Sequence, residues 1–217
     1  MRLLATSLLV GLLGITLSQC GSSANGPAPL CDTTCLQDTI QFVGEHESKP
    51  KVAIAPNNCT ADTILWTYEG MGVYRKIGLR SVLPQAVFMQ ASHARCVFNA
   101  NKKAWLLFND CATGRGYQVK LPFDKQESLS VRSSGINSID PKFDIDPDMM
   151  AYTDRGNIYV EHLKKGTTAM MTFKELVPID YDHLHDHIDS VHIRPNKIWV
   201  RIKIQDQWKT LEKDIEL

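Results

Sequence analysis

The sequence predicts an all-β fold: a small propeller-like array of four four-stranded units, with a β-sandwich as the rival arrangement of the same strands. Three observations carry this. Short alternating strands ending in Pro, Asn or Asp turns recur as "KVAIAPN" from Lys51, "CVFNANK" from Cys96, "KFDIDPD" from Lys142 and "SVHIRPN" from Ser190. Anchored on Val52, Val97, Phe143 and Val191, their spacings are 45, 46 and 48 residues, the period expected of a propeller blade. Runs with helical periodicity and caps are absent from the chain after its first twenty residues.

Taken in order, the elements begin with an unassigned strand in "DTIQFVG", residues 38–44. In the first unit an insertion carrying Cys59 delays the aromatic Trp66 to 14 residues after its anchor. Trp105 and Trp199 follow their anchors by 8 residues and Tyr152 by 9. In the second unit "AWLLFND" and "GYQVKLPF" bracket Gly114, and "SLSVRS" alternates. In the third, "MMAYTD" and "NIYVEHL" flank Arg155-Gly156, a hairpin turn in which glycine is free to take positive φ, and "TTAMMTF" adds a strand. The fourth holds "KIWVRIKI" and "QWKTLEKDIEL" around Gln205-Asp206 and lacks an outer strand. Pairing of Thr39–Val43 beside Lys209–Ile215 would supply one and hide two sheet edges. Residues 38–217 therefore read as a single all-β repeat domain.

The third unit, "KFDIDPDMMAYTDRGNIYVEHL", resembles the WD40-like repeats of periplasmic β-propellers through Pro147, Asp148, Asp154, Gly156, Asn157, Ile158 and Tyr159. The resemblance covers residues 142–163 well and the other units loosely, and it implies a fold and no activity.

Residues 1–19 read as a signal peptide: one charge at Arg2, then an uncharged apolar run over residues 3–17, too short for the ~20 residues that cross a bilayer. The run ends in "LSQC", which resembles the lipobox of bacterial lipoproteins. Leu17 and Ser18 match it, while Gln19 stands where Gly or Ala is usual; simple cleavage after Ala24 is the competing reading. The resemblance implies that Cys20 is diacylated and anchors the chain. Residues 20–37, opening "CGSSANGPAP", read as a tether, because such small polar composition cannot bury enough surface to fold.

Once Arg2 leaves with the signal, 23 basic residues stand against 24 acidic ones, with no basic stripe. Nucleic acid is therefore not an expected partner. Export implies an oxidising compartment, so the cysteines are expected to bridge. Candidates are Cys96 with Cys111, across successive strands, and Cys59 with Cys35 or Cys31, leaving one cysteine over. "CDTTC" (Cys31–Cys35) is a single CxxxC without a second pair at matching spacing, a poor zinc motif.

"DYDHLHDHIDSVH", residues 180–192, holds four of the chain's seven histidines and four aspartates. If extended, it would project His183, His185, His187 and Asp189 to one side, suitable ligands for Zn²⁺ or Cu²⁺, with Asp180, Asp182 and Asp186 orienting the rings. Against this, alternate residues of a straight strand lie ~6.6 Å apart, too far for all three imidazoles to meet one ion. A solvated loop of His–Asp hydrogen bonds is the simpler reading. Asp144-x-Asp146-x-Asp148 opens like a calcium loop but lacks its central glycine and its twelfth-position Glu, so it reads as strand and turn. No Gly-x-Ser-x-Gly elbow, phosphate loop or H-E-x-x-H helix is present. Of the tryptophans, only Trp208 falls outside the repeated position, as a surface contact.

The expectation is a lipid-anchored protein of the bacterial envelope, at the outer membrane, since Gly21-Ser22 lacks the Asp of inner-membrane retention. Its role would be a non-enzymatic β scaffold that binds an envelope protein partner through loops. The alternative is a periplasmic metal-binding protein or metal-dependent hydrolase using the 183–187 histidines.

Overall fold

The computed structural model describes residues 29–99, 102–173, 177–180 and 183–217. The signal peptide, Cys20 and most of the tether lie outside the described residues, as does Asp182. The described residues are all-β: fifteen strands in three sheets, with helix among them only as single 3₁₀ turns. Among the described residues no helix is long and apolar enough to cross a membrane.

The first sheet is the first unit: β1 (Ile40–Val43), β2 (Lys51–Asn57), β3 (Thr60–Tyr68) and β4 (Val73–Gly78), antiparallel in that order. The second has seven strands. β5 (Ala94–Asn99), β6 (Lys103–Asn109), β7 (Gly116–Pro122) and β8 (Ser130–Ile136) continue directly into β10 (Met149–Asp154), β11 (Asn157–His162) and β12 (Thr168–Met171). The third holds β13 (Ile188–Arg194), β14 (Lys197–Ile204) and β15 (Gln207–Asp214), plus β9 (Phe143–Ile145), which pairs parallel to β13. Arg155-Gly156 and Gln205-Asp206 are hairpin turns with all four residues at positive φ.

The predicted array is therefore changed in three places. The second and third units share one sheet, because β8 pairs β10 through Gly135↔Tyr152 and Ile136↔Ala151. The anchor strand of the third unit crosses to the fourth unit's sheet. β1 pairs β2 and not β15, so the two ends of the chain do not complete a common sheet. Inside the first two units the repeat has a clear physical basis. Val52 lies directly opposite Trp66, and Val97 opposite Trp105, as cross-strand pairs. The insertion at Cys59 lengthens the hairpin without moving that register.

Apolar side chains gather in three clusters. The first sheet packs on one face of β6 and β7, burying Val52, Ile54, Ile64 and Trp66 against Leu106, Phe108, Val119 and Leu121. The third sheet packs on the same face farther along, burying Val191, Val200 and Ile202 against Ala151, Ile158 and Val160. Trp105 and Leu107 alternate to the opposite face and meet Met150 and Leu163 there, so the long sheet curls onto itself. Covering of both faces explains why "AWLLF" is continuously apolar rather than alternating.

Two disulfides, Cys31–Cys111 and Cys35–Cys59, fix the segment before β1 to the domain. They fit an oxidising, extracytoplasmic compartment. The expected Cys96–Cys111 bridge is not made; among the described residues Cys96 is the free cysteine. Cys96 lies mid-strand opposite Leu106, whereas Cys111 lies five residues farther on, ~16 Å along the strand direction.

Candidate binding site

Three segments meet at one pole of the domain. The first is the 110–114 turn after β6. Asp110 holds it by accepting the Thr113 hydroxyl at 2.7 Å and the Phe88 N–H at 2.9 Å, and Gly114 closes it at φ +76°. The second is the Asn137–Lys142 connection, where buried Asp140 accepts the Lys142 N–H at 3.0 Å. The third is the 3₁₀ turn Leu184–Asp186, anchored by buried Leu184. Between them opens a cleft of about 590 Å³, and Pro29 and Leu30 of the N-terminal segment border it. The Leu30 N–H donates to the Cys111 carbonyl at 2.9 Å, beside the Cys31–Cys111 bridge.

His185 is the best-held polar side chain of the cleft. Its Nε2 donates to Asp140 Oδ2 at 2.8 Å, and its ring lies flat on Phe143 with centroids 5.3 Å apart. Burial alone would raise the Asp140 carboxyl, but hydrogen bonds from His185 and the Lys142 N–H outweigh it and hold the group below the usual carboxylate range. His93, Lys142 and Asp186 complete the polar lining with His183. Among the described residues no hydroxyl or thiol is hydrogen-bonded to His185; its Nε2 is engaged by Asp140 and its Nδ1 is buried, so the ring is a fixed wall of the cleft.

The histidine run does not act as one unit. The extended arrangement that would align its histidines is not adopted: Leu184–Asp186 is a 3₁₀ turn, with His183 and His187 at its caps, and such a turn rotates successive side chains by about 120°. His183 pairs with Asp180 at 3.2 Å, His185 with Asp140, and Asp189 with Ser190 and Arg201. Among the described residues no group of three or more His, Cys, Asp or Glu side chains is placed to hold a metal ion. The Asp144–Asp148 run forms β9 and its turn. There Asp144 pairs with Arg194 and His192, Asp146 caps the Asp148 N–H, and Asp148 meets Lys164. Trp66 and Trp105 are buried, and Trp208 is 42% exposed beside Arg201.

Sequence reasoning missed Asp140, His93 and the 110–114 turn. "DP" at Asp140-Pro141 marks a turn, but nothing in the sequence ties it to a histidine 45 residues later. Compared with known proteins, the chain matches no family model, no curated protein and no solved structure.

Proposed function

We propose that the chain is a lipid-anchored envelope protein, held at the membrane through Cys20, whose all-β domain is a non-enzymatic scaffold binding an envelope partner through loops. The observation that carries this reading is the meeting of loops from three parts of the chain around one cleft, beside a disulfide that ties down the N-terminal segment. The period of about 46 residues supports reading the sheets as a propeller-like array with its second and third units merged. The outer membrane is the proposed site.

A photo-crosslinking residue at His93 or Lys142 in cells tests the reading. It should yield one discrete adduct that excess soluble domain (residues 21–217) competes away. Equal, non-competed labelling there and at Lys209 on β15 would overturn it.

A further inference from the structure

Resting on the proposed lipidation of Cys20, we infer that the cleft pole faces the bilayer, and that the Cys31–Cys111 bridge sets this orientation. From Cys20 to Pro29, at the cleft rim, there are nine peptide units, which span at most about 32 Å whatever their conformation. A domain of this length has a radius of gyration of about 16 Å and hence a diameter of about 42 Å. The connection is shorter than the domain is wide, so the opposite pole cannot be the one that touches the membrane. Without the bridge, the first covalent attachment moves from Cys31, eleven units from Cys20, to Cys35–Cys59, fifteen units away. Those span up to about 54 Å, enough to let the domain turn over. The envelope partner proposed above would then reach His93, Lys142 and the cleft mouth from the membrane side of the domain.

The test uses the full lipidated protein in phosphatidylethanolamine/phosphatidylglycerol vesicles carrying a headgroup energy acceptor. A donor dye is placed by a bio-orthogonal side chain at Lys142, or at Lys102 beyond the far end of β6. Transfer at Lys142 should exceed that at Lys102 roughly twofold or more, since β6 separates the two ends by about 25 Å. In the doubly substituted Cys31→Ser/Cys111→Ser protein the difference should disappear. Protein that floats with the vesicles but shows equal transfer at both positions overturns the orientation alone. Failure of the wild-type protein to float, with Cys20→Ala behaving alike, overturns the anchoring and the orientation with it.

Discussion

At the residue scale the most informative group is Asp140. Its carboxyl is held below the pKa of about 3.9 expected of an unfolded chain, so its stabilising contribution is fully present above about pH 4. That contribution is lost as the pH falls through the lower folded value. Asp140→Asn should cost about 1–3 kcal/mol at neutral pH by weakening a buried charge-assisted hydrogen bond. It should also flatten the loss of stability below pH 4, read from urea midpoints across pH; an unchanged acid limb would contradict this role. Cys96 offers a second test. Burial pushes its thiol well above the usual range. The domain of residues 21–217 should therefore alkylate slowly when native and titrate as one thiol per chain in denaturant without reductant. The histidine run was visible in the sequence because composition is local. Its geometry was not, because buried Leu184 pulls the segment into a turn and Asp140 claims His185 from 45 residues away.

At the scale of elements, the join between the second and third units rests on a few buried polar contacts. Asn137 Nδ2 donates to the Phe108 carbonyl at 3.1 Å and to Asn109 Oδ1 at 2.9 Å. Its Oδ1 accepts from Gln118 Nε2, which also reaches the Ala151 carbonyl at 2.7 Å. Asn137→Leu would leave several of these groups unpaired in the interior, each costing about 1–3 kcal/mol. Chemical denaturation should show a loss at the upper end of that range or beyond. Beside it, Gly116 and Gly135 bring β7 and β8 together at a bulge, where a Cβ on Gly116 would lie 2.1 Å from the Gly135 carbonyl oxygen. Gly116→Ala should therefore destabilise by at least the 1–3 kcal/mol of an overpacked core, measured in the same way. The individual strands were legible from alternation and turn residues, and so were the Arg155-Gly156 and Gln205-Asp206 hairpins. The fusion of two units was not, because an Asn and two glycines in a loop-like stretch carry no sign of which strand they will join.

At the scale of the whole molecule, the two bridges close loops of unequal length, with sequence separations of 80 and 24. The chain-entropy model assigns about 4.5 kcal/mol to the Cys31–Cys111 bridge and about 3.5 kcal/mol to Cys35–Cys59. Paired serine substitutions, followed by thermal unfolding, should rank them in that order, and reductant should lower Tm by more than either pair alone. The all-β class was readable from alternation and turn residues along the domain. The pairing of sheets was not, since a curled seven-stranded sheet and two separate blades satisfy the same alternation.

Both bridges also decide how the fold carries mechanical load. Tension on an anchored N-terminus would ordinarily peel the edge strand β1 from β2, one hydrogen bond at a time. Here a pull reaches Cys31 first and passes through covalent sulfur into Cys111, at the end of β6 in the long sheet, with Cys35–Cys59 as a second stop before β1. The domain is thus built to be tugged from its N-terminal side without unzipping, and a single-molecule pull should see β1 released only after reduction.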